Sequence, residues 1–371
     1  MTPLTARHLR FSSSLIAPIL LLSIGILALQ ASSFALGNTP AAIASTVPSN
    51  GDVNPYGIAR VPRTTGSLVK GNILVSNFNN SKNQQGTGTT IVQIAPNGTV
   101  SLFAQIDANT LPGPCPGGIG LTTALAVLRD GWVVVGSLPT SDGTSATAQA
   151  GCLLVLNNQG QVVETFYGSL INGPWDMTAL DAGNTAELFV TNVLNGTIAA
   201  NGKVVHGGTV IRLVLSVSRT TMPNLQSITI VGSGFPERSD PAALVIGPTG
   251  LGLSADGSML YVADSLSNRI AAISDPLTRN SSAGKGTTIT KGGNLNDPLG
   301  LAVGTDGNIL SVNGNDGFLV ETTPAGLQIA TVLLDSSGTP PGAGALFGLV
   351  PVQGQGIYYV DDASNTLNLL H

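Results

Sequence analysis

Short apolar runs alternate with turn residues through most of this chain. The clearest unit is PTGLGLSADGSMLYVAD at Pro248–Asp264, in which two apolar runs flank an Asp-Gly pair. Asp-Gly between apolar runs is a strong hairpin signal, because the tight turn needs a positive φ that glycine adopts freely. The runs are too short for helices and are interrupted by glycine, proline and asparagine. The pattern predicts an all-β chain of antiparallel hairpins.

The hairpin unit recurs along the chain. Pro298–Asn313 and Ala124–Ser137 are close copies, and weaker copies lie at 54–77, 174–192 and 347–361. Each interval between copies has room for two more strands, and four antiparallel strands per unit is typical of a β-propeller blade. We therefore predict six four-stranded antiparallel blades. The alternative is seven blades, with a degenerate unit near residues 195–235.

The last copy is incomplete, because the residues after Asp361 suffice for only one more strand. A blade left open would expose the unpaired backbone groups of a sheet edge. Residues 41–47 (AAIASTV) precede the first copy and have no other place in the repeat pattern. We expect this stretch to be the missing outer strand, so that residues 36–53 close the ring and residues 54–371 form the propeller.

The N-terminus has the features of a signal peptide. A basic segment at 7–10 precedes the uncharged apolar run Leu15–Leu29, and Ser33-Phe34-Ala35 offers small residues for cleavage before Leu36. The alternative is a retained membrane anchor, although the run is shorter than the roughly 20 apolar residues of a spanning helix. We predict a signal peptide at 1–35 and a secreted or periplasmic protein without an integral membrane span after cleavage.

The repeats resemble the NHL repeat. The pattern Pro-x-Gly-Leu-x-Leu, Asp-Gly and a closing Ala-Asp is fullest at Pro248–Asp264 and good at Pro298–Asn313. One departure is that the Asn-x-Arg-Ile type of ending is clear only once, at Asn268-Arg269-Ile270. The resemblance implies a propeller scaffold. It leaves the function open, because similar propellers include enzymes and binding modules.

Composition and motifs narrow the classes of function. Charged residues are 9% of the chain, the net charge is −5, and no basic run occurs, which argues against nucleic-acid binding. The sequence has no G-x-S-x-G, Walker, H-E-x-x-H or EF-hand motif. Only His206 and His371 follow the predicted signal peptide, so chemistry based on several histidines is excluded.

A column of polar residues closes the second apolar run of each unit. Ser137 stands there in the second unit, and the other five positions are Asn77, Asn192, Asp264, Asn313 and Asp361. Because these strand ends share one face of a propeller, we expect their side chains to line the channel mouth. Carboxylate and amide oxygens suit a divalent cation such as calcium. The alternative is that Asn and Asp merely cap the strand ends.

Two further pairs of residues are candidates for special roles. Trp175 and Asp176 start the third unit where other units mostly carry glycine, and we predict that they bind a ligand at the mouth. The alternative is that Trp175 fills the core. Cys115 and Cys152 lack the spacing of metal ligands and suit an exported protein, so we predict a disulfide. Two free buried thiols are the alternative.

Three functions are consistent with these residues. We favour an exported, non-catalytic and monomeric binding module that contacts a protein, peptide or glycan through one face. The alternative is a cation-dependent lactonase or lyase with its site at the channel mouth. The third is a structural component of the cell envelope without a discrete ligand.

Overall fold

In the computed structural model, residues 37–371 and Met1 are described. Apart from Met1, the predicted signal peptide lies outside the described residues. The first strand, β1 (Pro40–Ser45), pairs with the last strand of the chain and belongs to the sixth blade. The other strands follow one another blade by blade. No helix in residues 37–371 is long and apolar enough to cross a membrane.

The first three blades run from residue 53 to residue 246. Blade 1 contains β2 (Val53–Arg60), β3 (Ile73–Asn79), β4 (Thr90–Ile94) and β5 (Val100–Gln105). Blade 2 contains β6 (Leu121–Val127), β7 (Val133–Ser137), β8 (Cys152–Leu156) and β9 (Val162–Phe166). Blade 3 contains β10 (Gly173–Asp181), β11 (Thr185–Val193), the short helix α1 (Thr197–Ala200), β12 (Val205–Ser216), β13 (Asn224–Asp240) and β14 (Leu244–Ile246).

The last three blades are more regular. Blade 4 contains β15 (Pro248–Leu253), β16 (Met259–Asp264), β17 (Arg269–Ser274) and β18 (Thr287–Lys291). Blade 5 contains β19 (Pro298–Val303), β20 (Ile309–Asn313), β21 (Phe318–Thr322) and β22 (Gln328–Leu333). Blade 6 contains β23 (Leu346–Val352), β24 (Gly356–Asp361), β25 (Thr366–Leu370) and, as its outer strand, β1.

The predicted six-bladed propeller is confirmed, and the seven-bladed alternative is wrong. Residues 195–235 form no sheet of their own. They make α1, the long strand β12 and most of β13, which are the third and fourth strands of blade 3; the short strand β14 pairs with the end of β13 as a fifth strand. The apolar residues of this stretch pack onto the hairpin that precedes them, so they complete blade 3 instead of starting a new blade.

The ring is closed by the N-terminal segment. Strand β1 lies antiparallel to β25, from Pro40 opposite Leu370 to Ser45 opposite Thr366. Ile43 and Ala44 pack against the apolar core between the blades. Strand β1 begins one residue before the predicted stretch 41–47 and ends two residues before its end. It pairs with the edge that blade 6 would otherwise expose.

The innermost strands line a narrow channel because glycines allow them to approach one another. A Cβ atom on Gly300 would collide with the Phe347 carbonyl, and one on Gly348 would lie 2.5 Å from the Tyr56 carbonyl. All six inner strands have a register shift near this level. The shifts and the missing side chains bring neighbouring backbones into direct contact.

The predicted disulfide is confirmed between Cys115 and Cys152, whose Cα atoms are 5.2 Å apart. Cys115 lies in the loop that enters blade 2, and Cys152 begins β8. Cys152 is fully buried in an apolar cluster with Leu121 and Leu154. The bond therefore fixes a long surface loop to the core of its own blade.

Candidate functional site

The central channel contains two cavities at opposite ends of the inner strands. The first, here called the mouth cavity, has a volume of about 920 Å³ and lies where the inner strands begin, around Tyr56, Leu299 and Phe347. The second, here called the lower cavity, has a volume of about 370 Å³ and lies farther along the same strands, around Asp176 and Leu349. Each is a separate candidate site.

Aromatic side chains form the floor of the mouth cavity. The Tyr56 ring stacks on Phe347 with ring centres 3.8 Å apart, and on Phe78 at 4.5 Å. Trp175 is tilted against Phe347 at 6.3 Å. All four rings are buried, and Tyr56 and Phe347 line the mouth cavity directly.

Polar side chains surround this aromatic floor. The carboxyl and guanidinium groups at the rim belong to Asp240, Asp297, Asp362 and Arg238, and the carboxamides belong to Asn54, Asn79, Asn83, Gln85, Asn268, Asn296 and Asn315. An apolar floor with a rim of carboxylates and amides suits a small polar ligand with one apolar face.

Asp362 follows the last residue of β24 and faces the mouth cavity. Burial, together with the charge of the neighbouring Asp361, raises its pKa to about 7. The Asn54 carboxamide contacts the Asp362 carboxylate, and the amide orientation that donates to Asp362 also accepts from Asn79 Nδ2 at 2.9 Å. Burial and the Asp362 charge hold the pKa of the Tyr56 hydroxyl well above its usual value. Tyr56 therefore remains a neutral hydrogen-bond donor beside Asp362.

Asp297 is the second perturbed carboxyl group of the mouth. Burial and the charge of Asp240 raise its pKa to about 6, against the opposing effect of Arg238. Arg238 Nη2 and Asp240 Oδ2 form an ion pair at 2.9 Å. The Asp297 backbone N–H donates to Asn268 Oδ1 at 3.0 Å, which fixes the residue at the rim.

Asn54 and Asp297 share an unusual backbone conformation. Their φ angles are 64° and 58°, and each residue directly precedes a proline. Asn and Asp tolerate this left-handed region better than most residues, but the position before proline favours extended backbone. Residues held in strained conformations concentrate at functional sites. Both side chains line the same cavity.

The predicted column of cation ligands lies beside the mouth cavity and does not line it. Asn77, Asn192, Asp264, Asn313 and Asp361 are all buried at strand ends, and none of them is among the residues around the mouth cavity. Successive strand residues point to opposite sides. It is the next residue that reaches the cavity in three blades, namely Ser265, Gly314 and Asp362.

Most of the column is already engaged in hydrogen bonds or an ion pair. Asp264 Oδ2 pairs with Arg269 Nε at 2.8 Å. Asn313 Nδ2 donates to Asp316 Oδ1 at 2.9 Å, and Asn77 Nδ2 donates to the Thr46 carbonyl at 3.0 Å. Asn192 differs, because neither of its amide atoms has a hydrogen-bond partner in the described chain. Cation binding by this column stays a prediction.

The mouth itself is a poor match for a divalent cation. Within residues 37–371, no three His, Cys, Asp or Glu side chains come together as a metal-binding group. Asp240 is already paired with Arg238, and Asp362 is held by the Asn54 amide. Calcium prefers six to eight oxygen ligands, several of them carboxylates. The residues present do not fit such an ion.

Trp175 and Asp176 point in opposite directions along β10. Trp175 packs in the aromatic floor of the mouth cavity, whereas Asp176 lines the lower cavity. Asp176 Oδ2 accepts the Leu251 backbone N–H at 2.8 Å, and burial raises the pKa of its carboxyl to about 7. The structure therefore does not bring these two residues together at the mouth, and ligand binding by either stays a prediction.

No protein-family model matches this sequence, and no curated protein matches it in sequence. Solved structures match its fold. A gluconolactonase from Xanthomonas campestris aligns over 90% of this chain and 93% of its own, with 15% identity and a TM-score of 0.53. A luciferin-regenerating enzyme aligns over 88% of both chains, with 11% identity and a TM-score of 0.53. A calcium-binding regucalcin from Agrobacterium tumefaciens aligns over 89% and 93%, with 13% identity and a TM-score of 0.52.

The likeness shows that this chain shares its propeller fold with these proteins. The finer assignment to NHL repeats stays a prediction. Because the structural neighbours include proteins named as enzymes, the expectation of a non-catalytic binding module, and with it the expectation that the chain is not an enzyme, is corrected. At 11 to 15% identity, the likeness itself concerns the fold.

Proposed function

We propose that this chain is a hydrolase that opens a cyclic ester, a lactone, in the mouth cavity. The reaction class follows the gluconolactonase that shares the fold. The observation that carries the proposal is the pair Asp362 and Tyr56, a carboxyl group with its pKa raised to about 7 beside a phenol held neutral. A base that titrates near neutral pH and a fixed hydrogen-bond donor are what ester hydrolysis requires.

Asp362 is the general base of the proposed reaction. Its ionised carboxylate removes a proton from a water molecule as the water oxygen attacks the lactone carbonyl carbon. A base with a pKa near the working pH combines a useful ionised fraction with a strong drive for proton transfer. Asn54 holds the Asp362 carboxylate in place through its carboxamide.

Tyr56 stabilises the negative charge that develops on the carbonyl oxygen. Its hydroxyl lies beside Asn54 and Asp362, and its ring is fixed by stacking on Phe78 and Phe347. A donor held in place by packing needs little rearrangement in the transition state. The stacked rings also offer an apolar surface to one face of a lactone ring.

Asp362 also supplies the proton that the second half of the reaction needs. When the ring C–O bond of the tetrahedral intermediate breaks, the protonated Asp362 returns its proton to the leaving alkoxide. The product is a hydroxy acid, whose carboxyl group ionises in water. Arg238, a rim residue that is also paired with Asp240, supplies a positive charge for this new carboxylate.

The test measures acid release from D-glucono-1,5-lactone and δ-valerolactone in a pH-stat. We expect turnover of at least one lactone above the spontaneous rate. Asp362→Asn should reduce kcat by about 10²- to 10⁴-fold, the usual contribution of a general base. Tyr56→Phe should reduce it by about 10²- to 10³-fold, the usual contribution of an oxyanion donor.

The matched control is Asp256→Asn, which makes the same change in an exposed hairpin turn far from the mouth lining. It should leave the rate unchanged. Each assay is run with calcium and with a chelator, and we expect equal rates because the mouth residues do not fit a divalent cation. No turnover of either lactone, or equal rates for Asp362→Asn and the unmodified chain, would reject the proposal.

A further inference from the structure

The lower cavity is a second candidate binding site, separate from the mouth cavity. Its walls are apolar side chains from all six inner strands, including Ile58, Leu125, Met177 and Leu301. Its outer end is partly exposed at Leu253, Val303 and Pro351, where the inner strands end. A mostly apolar cavity with a few polar groups is typical of a small-molecule site.

Two polar side chains lie in the lining with unmet hydrogen-bonding capacity. Thr123 is 4% exposed, and its Oγ1 has no hydrogen-bond partner in the described chain. Nε of Arg60 is buried and likewise has no partner among the described residues. Buried polar atoms of this kind are uncommon in folded proteins and call for an explanation. One explanation is a bound ligand that forms hydrogen bonds with Thr123 Oγ1 and Arg60 Nε.

Asp176 is the buried charge of the same cavity. Only backbone N–H groups, from Leu251 and Met177, oppose the rise in pKa that burial causes, so no cationic side chain compensates its carboxylate. A buried carboxylate without a cationic partner is costly. It is the group that an ammonium ion in the cavity would stabilise most.

Asp176 and Arg60 stand at different heights along the channel. The Asp176 N–H donates to Thr191 Oγ1 at 3.0 Å, and the Gly57 N–H donates to Ser76 Oγ at 3.0 Å. Because the two hydrogen bonds are equivalent, Asp176 in blade 3 and Gly57 in blade 1 occupy the same level of the channel. Arg60 is three residues farther along β2 than Gly57. At about 3.3 Å per strand residue, the two charged side chains start about 10 Å apart along the axis.

We propose that the lower cavity binds an elongated molecule with an ammonium group at one end, an apolar chain, and a carboxylate at the other end. The ammonium group pairs with the Asp176 carboxylate and donates to Thr123 Oγ1. The carboxylate accepts from the Arg60 guanidinium at the outer end. The apolar chain lies against Ile58, Leu301 and their neighbours.

The probe is 8-aminooctanoate, whose extended length matches this spacing, titrated calorimetrically at about pH 8. We expect saturable binding that is about tenfold or more tighter than that of octanoate or octylammonium, because each of these lacks one charge-assisted contact. Asp176→Asn should weaken binding of 8-aminooctanoate by about tenfold or more, and Arg60→Gln should do the same.

The controls separate this site from the mouth and from effects on folding. Asp181→Asn changes the same residue type in the same strand outside the cavity lining, and binding should be unchanged. Asp362→Asn, in the mouth, should also bind normally. Asp176→Asn keeps the shape of the side chain and removes a costly charge, so its thermal stability should be preserved. The proposal is overturned if the unmodified chain shows no saturable binding, if octanoate binds as tightly as 8-aminooctanoate, or if Asp362→Asn alone abolishes binding.

Discussion

Breaking the disulfide should lower stability by an amount that follows from its loop. We choose Cys115→Ser, because Cys115 is only partly buried, whereas Cys152 belongs to an apolar cluster that should keep its sulfur. The two cysteines are 37 positions apart. In the chain-entropy model, releasing a loop of this size costs about 4 kcal/mol at 25 °C.

The size of the chain converts this free energy into a modest change in melting temperature. Unfolding entropy is about 2.1 cal/mol/K per residue, so a loss of about 4 kcal/mol over residues 37–371 lowers the midpoint by about 6 °C. The assay is a thermal melt followed by circular dichroism, in the presence and absence of reductant. A reductant should lower the midpoint of the unmodified chain to that of Cys115→Ser and leave the variant unaffected.

The same assay can refute the reasoning. If Cys115→Ser melts at the temperature of the unmodified, oxidised chain, the loop between the two cysteines is equally constrained without the bond. That result would mean that residual contacts of the loop, and not the crosslink, limit the freedom of the loop in the unfolded chain. A loss much greater than about 6 °C would instead indicate that Cys115 makes native contacts beyond the bond.

Three further predictions address the ring, the strand ends and the buried acids. Deleting residues 40–45 exposes the edge of β25 and should lower the melting midpoint and promote association, which size-exclusion chromatography detects. Asp264→Ala leaves Arg269 buried without its partner and should cost about 3–5 kcal/mol by denaturant unfolding, whereas Arg269→Met with Asp264→Leu should recover much of it. Burial raises the pKa of Asp176 and of Asp362 to about 7, so the folded state holds protons that the unfolded state releases near pH 4, and thermal stability should fall as pH rises from about 4 to 7. Asp176→Asn should flatten that profile, and an unchanged profile would contradict the assignment.

Much of the scaffold follows from local sequence, because the signals are local. The Asp-Gly pairs set the turns of the inner hairpins in blades 2, 4 and 5 through a positive φ at Gly131, Gly257 and Gly307. Alternating apolar runs on either side supply the strands, and the incomplete last repeat indicates that another segment must complete blade 6. The sequence left the number of blades undecided at only one place, the long hairpin β12–β13. There the apolar residues could have packed on the preceding hairpin or formed a blade of their own, and only the tertiary structure decides between the two.

The sequence predicted the residues of the candidate site only in part. The polar column was found at the correct strand ends, but a step of one residue reverses the side of a strand, so Asp361 is buried within its blade while Asp362 reaches the mouth. A second carboxyl group, Asp297, comes from another blade, and only closure of the ring brings both to one cavity. Their raised pKa values arise from burial, which depends on every neighbour that excludes water. Local sequence therefore determined the blades, whereas the packing of six blades around one axis decided which side chains face the channel and how readily they ionise.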